Sequence, residues 1–337
     1  SQLMSGKPPV YDRSSLKLTK KEKSIFISEG RKPHYRFLLN HDYVEWNDNI
    51  KGIVKYHMSN VSDPVILRED GRYIYTLASV VDDIDYGISH IIRGEDHVTN
   101  SAAQLQIFKS LKSKLPEMCH LALISGFDGQ GLSKRLGSFS LNDLRKEQIL
   151  PISILSYLST IGTSESINLK ENIEEIISNF KFSKFGNSTS KFDFSELNNI
   201  NIKALQKSKL YEVKDYLNYL EIKNIDEKFW EIIRKNINVL SDTKMWVTIC
   251  FDEIKPIIKN KTIIKKAIDC FPSDEFDSSI WNDWVSKILT GSDFKKNEVF
   301  MSLRLAITGK EKGPDLSDIL SFIPKEVVLK RLQGNTV

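Results

Sequence analysis

The chain has 337 residues, of which 40% are apolar and 27% charged, with a formal net charge of +4. This length is typical of roughly two or three domains. The sequence has no run of about 18 apolar residues and no apolar signal-peptide core, so neither a transmembrane helix nor a secretory leader is expected. The three cysteines, Cys119, Cys250 and Cys270, form no C-x-x-C pair. This pattern argues against a disulfide framework or zinc knuckle and fits a reducing cytoplasm.

Positive charge is concentrated at the start of the sequence. Residues 1–36 carry nine Lys or Arg side chains against three acids, a local net charge of +6. A basic face of this kind can bind a phosphate backbone. On charge alone, however, a solvated surface segment is the preferred interpretation.

Residues 65–137 predict alternating strands and helices. The run 74–81 is apolar and β-branched, and residues 88–92 predict a short buried strand. Apolar residues at 98, 102, 105, 108 and 111 then recur at helical spacing. Residues 119–124 predict another strand, which leads into the glycine-rich stretch GFDGQGLSKRLG at 126–137. This order predicts a βαβ crossover, the unit of a parallel sheet.

Two polar segments follow the predicted strands. They are Arg-Gly-Glu-Asp-His at 93–97 and Leu-Ser-Lys-Arg at 132–135. Ligands of parallel sheets bind at the carboxyl ends of the strands. We therefore expect the two segments to lie side by side around one crevice.

The remainder of the sequence predicts helices. Pro151 suits a first helical turn, and an apolar stripe follows it until Gly162. Similar stripes occupy 229–237 and 300–307, and Pro324 can start a last helix. Residues 200–337 thus predict a mostly α-helical region whose stripes form its core.

The second polar segment has the chemistry of a phosphate site. Lys134 and Arg135 supply cations, and Ser133 supplies a hydroxyl. Such groups stabilise the charge that develops on a phosphoryl centre or on leaving pyrophosphate. The Walker A pattern is absent, and a basic surface turn is the alternative. The position after a strand and beside the Arg93 loop favours the phosphate site.

Arg93 ends a predicted strand, where an arginine is rarely unpaired. It meets either an acid of the protein, with Asp82, Asp83 and Asp96 as candidates, or an anionic ligand. The sequence leaves both alternatives open.

Glu95, Asp96 and His97 could be read as a metal or acid–base cluster. The six histidines are scattered and no H-x-x-x-H pattern completes a metal site, so no metal ligation is expected. The sequence contains no G-x-S-x-G motif and no Cys/His pair of the kind that would indicate covalent catalysis.

Six stretches together resemble one family, bacterial glutamyl-tRNA synthetase, a class I aminoacyl-tRNA synthetase. The resemblance covers nearly the whole chain and is most specific over 65–111. The stretches are KPPVYDRSSL (7–16), VILREDGRYIYTLASVVDDIDYGISHIIRGEDHVTNSAAQLQIFKSL (65–111), HLALISGFDGQGLSKRLGSFSL (120–141), ILPISILSYLSTIGTS (149–164), KFDFSELNNINIKAL (191–205) and LRLAITGKEKGPDL (303–316).

The resemblance implies an α/β plus all-α fold. This is the second half of a Rossmann-like class I synthetase catalytic domain, followed by helical stem-contact and anticodon-binding domains. Residues 1–66 would be the later part of the insertion that binds the tRNA acceptor end, and 67–148 the catalytic half with its signature loop. Residues 149–235 would be the stem-contact region and 236–337 the anticodon-binding domain.

The resemblance also implies a glutamate–tRNA ligase. Residues 132–135 resemble the family's Lys-Met-Ser-Lys-Ser loop, so Ser133, Lys134 and Arg135 would be catalytic and Lys134 would bind the ATP phosphates. Glu95 and His97 would lie near the ATP and amino-acid pocket. Positioning and electrostatics would carry the reaction without a protein nucleophile.

Three residues match the family's glutamate site. Tyr75 and Arg93 would hold the glutamate side chain, and Ser79 stands nearby, where members often have Asn. Gly131 replaces the first Lys of the signature loop, which puts one phosphate contact in doubt.

The implied substrates are glutamate, tRNA and ATP with Mg²⁺, and the implied setting is the cytoplasm, away from membranes. We expect a monomer at full length. The alternatives are a catalytically inactive tRNA-binding fragment or paralogue, and a second-copy enzyme that glutamylates the glutamine tRNA.

The family's His-Ile-Gly-His-type signature, which grips ATP, has no counterpart in this sequence. The resemblance implies that roughly the N-terminal third of the usual enzyme is missing, so we expect these 337 residues to be inactive alone. Half of a nucleotide-binding sheet also predicts an uncovered apolar strand edge and face.

Overall fold

The computed structural model describes residues 10–126, 140–223 and 225–337. The strands are β1 (Tyr35–Arg36), β2 (Tyr43–Asp48), β3 (Gly52–His57), β4 (Val65–Leu67), β5 (His90–Gly94), β6 (Glu117–Leu121), β7 (Ile124–Ser125) and β8 (Ser190–Lys191). The helices are α1 (Lys20–Ser28), α2 (Tyr75–Asp85), α3 (Val98–Ser110), α4 (Leu141–Lys146), α5 (Pro151–Leu158), α6 (Ile173–Asn179), α7 (Phe194–Lys207), α8 (Leu210–Tyr219), α9 (Glu227–Ile233), α10 (Asp242–Phe251), α11 (Lys261–Asp269), α12 (Ser278–Leu289), α13 (Lys296–Thr308), α14 (Leu316–Ile319) and α15 (Lys325–Leu332).

The chain divides into two compact units. The first contains residues 1–138, 159–167 and 177–193, and the second contains 139–158, 168–176 and 194–337. The first unit holds the strands and the second is built from helices. None of the described helices is both long and apolar enough to cross a bilayer.

The main sheet of the first unit has the strand order β3-β2-β6-β5. Strands β5 and β6 run parallel, in register from His90 opposite Glu117 to Gly94 opposite Leu121, and α3 connects them. The predicted βαβ crossover is therefore confirmed. Strands β2 and β3 form an antiparallel hairpin, and β2 joins β6 in parallel where Asp48 lies opposite Met118.

Residues 75–81 of the apolar run lie within helix α2, despite their β-branched members, and Ile74 is the residue that precedes the helix. Leu77, Val80 and Ile84 recur at three- and four-residue spacing and pack with Ile107 and Phe108 of α3. This spacing gives α2 an apolar face, and the burial of that face outweighs the β preference of single residues.

Strand β5 is not buried as the sequence predicted. Ile91 packs against the core of the first unit, but Ile92, on the opposite face, is 51% exposed. Within the described sheet β5 is an edge strand with β6 as its neighbour. Among the described residues, β5 thus has one unpaired strand edge and one exposed apolar side chain.

The second unit has one continuous apolar core. Its largest buried side chains include Trp230, Trp246 and Trp284. Helices begin at Pro151 and directly after Pro324, and α13 ends at Thr308, directly before Gly309, which has a φ of +66°. These positions confirm the boundaries that Pro151, Pro324 and Gly309 predicted. The stripe expected to continue to Gly162 is shorter, because α5 ends at Leu158.

Gly313 meets this core without room for a side chain. Its φ is +155°, and a Cβ there would lie 2.1 Å from Cη2 of the buried Trp246. We expect Gly313→Ala to lower the free energy of unfolding by about 1–3 kcal/mol through overpacking. Urea unfolding followed by tryptophan fluorescence measures this change.

Gly291→Ala is the matched control for that experiment. Gly291 also has a positive φ, +66°, but a Cβ there meets nothing within 4 Å, so the control reports backbone strain alone. Equal losses of stability in the two variants would contradict the packing role of Gly313.

Candidate active site in the first unit

Arg93 lies near the carboxyl end of β5 and is half-buried. Its Nη1 donates a hydrogen bond to Gln104 Oε1 at 2.8 Å, and its Nη2 donates to Ser101 Oγ. Its Nε is buried and has no hydrogen-bond partner within the described residues. The acceptors of these two hydrogen bonds, an amide oxygen and a hydroxyl oxygen, are both neutral, and the Tyr75 side chain is a further hydrogen-bond partner.

The three acids considered as partners of Arg93 do not form ion pairs with it. Within residues 10–126, 140–223 and 225–337, no carboxylate lies within 4 Å of the Arg93 guanidinium nitrogens. Burial lowers the pKa of Arg93, and Tyr75 and Asp83 oppose that effect. Among the described residues the half-buried cation thus has Asp83 near enough to act on its pKa but no carboxylate in ion-pair contact, which favours the anionic-ligand alternative.

Tyr75 and Ser79 reach the same place from the first turns of α2. Ser79 Oγ donates to the Tyr75 carbonyl oxygen at 2.7 Å and accepts from Gln104 Nε2 at 2.7 Å. Gln104 thereby bridges Ser79 and Arg93, while Tyr75 is 59% exposed. The structure brings together all three residues that the sequence assigned to glutamate.

A second polar layer lies behind Arg93. Ser101 Oγ is 2.6 Å from His120 Nε2, and His120 Nδ1 is 2.5 Å from Asp48 Oδ2. Ser101 and His120 are fully buried, and Asp48 is only 2% exposed. A continuous chain of hydrogen bonds thus connects Arg93 to a buried carboxylate.

Backbone groups hold Asp48 in place. Its Oδ1 accepts from the N–H groups of Ile50, Lys51 and His120 at 3.0–3.1 Å. Burial raises the pKa of Asp48, but the hydrogen bonds from His120 and from these N–H groups outweigh it, so the pKa is lowered overall. Burial lowers the pKa of His120, although Asp48 opposes the effect. The pair is therefore a carboxylate and a neutral imidazole near pH 7.

Glu95 and His97 lie in the turn between β5 and α3. Glu95 accepts a hydrogen bond from Lys51 Nζ at 2.6 Å, and this bond lowers the pKa of Glu95. His97 Nε2 is 3.9 Å from Asp96 Oδ2, and His97 Nδ1 has no described partner. The described residues contain no group of three or more His, Cys, Asp or Glu side chains that could hold a metal ion.

The remaining site residues that the sequence predicted belong to the glycine-rich segment 126–137. Gly131, Ser133, Lys134 and Arg135 lie outside the described residues. The expectation that this segment lies beside the 93–97 loop therefore stays a prediction.

Sequence reasoning missed Asp48, Ser101, Gln104 and His120. Ser101 and Gln104 are three residues apart on α3, and a polar pair on one face of a largely apolar helix is a signal that could have found them. Asp48 and His120 are 72 residues apart in the chain. No local pattern joins these two, because only the pairing of β2 with β6 brings them together.

Comparison with protein-family models gives two matches. Residues 1–199 match the model described as tRNA synthetases class I (E and Q), catalytic domain, and residues 209–335 match the model described as anticodon binding domain. Glutamate–tRNA ligase 1 of Wolbachia sp. subsp. Brugia malayi is 41% identical over 98% of this chain and 75% of its own length. Glutamate–tRNA ligase 2 of Hyphomonas neptunium is 40% identical over 97% of this chain and 74% of its own length.

Solved structures share the fold. A glutamate tRNA ligase from Elizabethkingia meningosepticum, crystallised in complex with its amino acid, has a TM-score of 0.78 at 21% identity. The glutamate-tRNA synthetase of Elizabethkingia anophelis has a TM-score of 0.79 at 22% identity. Each alignment covers 98% of this chain and 75% of the other.

We expect the buried pair Asp48–His120 to make the first unit sensitive to acid. The pKa of His120 is lowered from 6.5, so the unfolded chain binds more protons than the folded one below that pH. The stability from neutral His120 is complete above about pH 6.5 and declines as pH falls, by up to about 1.4 kcal/mol per pH unit. Asp48, whose pKa is lowered from 3.8, adds a further loss below that value.

Trp46 offers a probe of this effect, since its ring centroid is 6.1 Å from that of His120. In protein labelled with 5-fluorotryptophan, the Trp46 signal should show a urea midpoint that falls between pH 7 and pH 5. His120→Asn should flatten that dependence, and His34→Asn, at an exposed histidine, should not. An unchanged slope in His120→Asn would contradict the assignment.

Proposed function

We propose that this chain, which belongs to the glutamate–tRNA ligase family of class I tRNA synthetases, activates glutamate with ATP and transfers the glutamyl group to the 3′ end of a tRNA. The observation that carries the glutamate assignment is Arg93. Its guanidinium is half-buried, has neutral described partners and keeps an unpartnered Nε. A ligand carboxylate would supply the missing negative charge.

Arg93 can also explain selectivity for glutamate. A guanidinium binds a carboxylate through two parallel N–H···O bonds, and such charge-assisted bonds are roughly twice as strong as neutral ones. Glutamine has nearly the same shape, but its neutral amide would leave the half-buried cation uncompensated. In our proposal Tyr75 supplies a phenol beside the bound side chain, and Ser79 holds the first turn of α2 through Gln104.

We assign the phosphate chemistry to Ser133, Lys134 and Arg135. A glutamate α-carboxylate oxygen attacks the α-phosphorus of ATP, and the bond to pyrophosphate breaks. A ribose hydroxyl of the terminal tRNA adenosine then attacks the acyl carbon, and AMP leaves. The cations of this loop offset the charge that grows on pyrophosphate. ATP enters as its magnesium complex, which is a substrate.

The turn between β5 and α3 would form the nucleotide side of the site. The Lys51–Glu95 ion pair, at 2.6 Å, ties this turn to the loop between β2 and β3. We propose that the pair fixes the turn and that the His97 imidazole, with its unpartnered Nδ1, faces ATP.

The domain assignments are part of the same proposal. Residues 1–66 would contact the tRNA acceptor end, 67–148 would carry the chemistry and 149–235 would contact the stem. Residues 236–337 would read the anticodon, which is supported by the family match over 209–335. The free thiols of Cys119, Cys250 and Cys270 support a reducing cytoplasm as the location.

The role of Arg93 is testable with glutamate-dependent ATP–pyrophosphate exchange by the complete gene product with tRNA present. Arg93→Ala should raise the glutamate KM roughly 30-fold or more, because it removes the partner of a desolvated carboxylate. The KM for ATP should stay close to that of the unaltered enzyme.

Arg72→Ala is the matched control. Arg72 is an arginine shortly before α2 whose side chain is 76% exposed and paired locally with Asp70. Its removal should leave the glutamate KM unchanged. If Arg93→Ala behaves like Arg72→Ala, the glutamate assignment is wrong.

The phosphate loop is tested separately. Lys134→Ala should reduce adenylate formation by about 100-fold or more, because it removes a cation that stabilises the transition state. Binding of tRNA in a filter assay should be unaffected. Lys146→Ala, at a lysine that is 79% exposed on α4, should alter neither property. Full adenylate formation by the Lys134 variant would refute the loop assignment.

A further inference from the structure

Hydrogen bonds connect Arg93, Ser101, His120 and Asp48 in that order. The donor and the acceptor of the first bond follow from the chemistry of arginine. Arginine donates and never accepts, so Ser101 Oγ must accept from Arg93 Nη2. The single hydroxyl proton of Ser101 then has two possible acceptors. These are His120 Nε2 at 2.6 Å and the His97 carbonyl oxygen at 3.1 Å.

Asp48 decides between the two acceptors. Because three backbone N–H groups donate to its Oδ1, only Oδ2 faces His120 Nδ1, at 2.5 Å. A carboxylate oxygen can only accept there, so Nδ1 carries the proton of the neutral ring. His120 Nε2 is then a lone-pair acceptor for the Ser101 hydroxyl. Every donor in the chain points from Arg93 towards the buried carboxylate.

We propose that Asp48 and His120 are positioning residues for glutamate recognition, because they fix the direction of the Ser101 hydrogen bond and so hold the Arg93 guanidinium in place. Neither side chain is exposed, so neither can touch a substrate. This inference rests on the proposed function of Arg93 and extends it to residues 45 and 27 positions away in the sequence. Burial, which lowers the pKa of His120, keeps the ring neutral and so preserves the direction.

Asp48→Asn should reverse the direction. The Asn oxygen would stay with the backbone N–H groups, so the amide nitrogen would face Nδ1 and donate to it. His120 would then carry its proton on Nε2 and donate to Ser101 Oγ, which would accept from His120 and from Arg93 through its two lone pairs. Ser101 would turn its own proton to the His97 carbonyl. The Arg93–Ser101 hydrogen bond would be weakened, because Ser101 Oγ would accept from two donors and would no longer pass its own proton towards a carboxylate.

The test uses the complete gene product and two readouts. NMR of ¹⁵N-labelled histidine should show His120 protonated on Nδ1, and on Nε2 in Asp48→Asn. In ATP–pyrophosphate exchange, Asp48→Asn should raise the glutamate KM about tenfold, with the ATP KM nearly unchanged. Ser101→Ala, which deletes the acceptor with a smaller structural change, should also raise the glutamate KM selectively and serves if Asp48→Asn does not fold.

Asp63→Asn is the matched control. Asp63 is a carboxylate of the same unit, 3% exposed and hydrogen-bonded to Arg13 at 2.8 Å, with no described link to Arg93. Asp63→Asn is the same substitution as Asp48→Asn at a similarly buried position, so this variant reports the effect of lost stability alone. We expect its glutamate KM to match that of the unaltered enzyme.

The outcomes separate this inference from the proposed function. If Asp48→Asn and Ser101→Ala raise the glutamate KM no more than Asp63→Asn, while Arg93→Ala raises it strongly, the positioning role alone is refuted. Equal increases in the ATP and glutamate KM values would also refute it. If the unaltered enzyme shows no glutamate-dependent exchange, the proposed function fails and the inference fails with it.

Discussion

A half-buried guanidinium without an acid in direct contact among the described residues is the constraint on which this site depends. Removing a cation from water costs several kcal/mol unless hydrogen bonds and a counter-charge replace the lost hydration. Arg93 donates hydrogen bonds to the neutral side chains of Gln104 and Ser101. It reaches a carboxylate, that of Asp48, only through Ser101 and His120. An acid in direct contact would compete with a ligand carboxylate. The arrangement therefore stabilises Arg93 in the fold while leaving its charge available for the glutamate carboxylate that we propose it binds.

The sheet produces this arrangement through register. Arg93 and His120 are paired positions on the parallel strands β5 and β6, and β2 adds Asp48 beside the same strand. Helix α3, which crosses between β5 and β6, carries Ser101 and Gln104 on the face that meets Arg93. The β5–α3–β6 crossover thus also positions the residues of the hydrogen-bond network, so a change in strand register would disrupt that network.

The sequence alone predicted a good part of this structure. Helical spacing located α3, the order of segments predicted the parallel crossover, and a strand-ending arginine marked the site. Prediction from the sequence failed for features that depend on contacts between residues distant in the chain. The β-branched residues of α2 suggested no helix, because its stability comes from packing on α3. Ile92 looked buried because sequence cannot show that β5 is an edge strand. Asp48 and His120 carried no local signal at all, and the phosphate loop at 132–135 lies outside the described residues.

The measurement that tests the central claim most directly is amino-acid discrimination. The complete gene product would be assayed for ATP–pyrophosphate exchange with glutamate and with glutamine, tRNA being present in both cases. If the Arg93 charge selects the substrate, kcat/KM for glutamate should exceed that for glutamine by about 100-fold or more, since glutamine leaves the cation unpaired. Comparable exchange with the two amino acids would mean that the half-buried charge does not recognise a carboxylate, and would contradict the account.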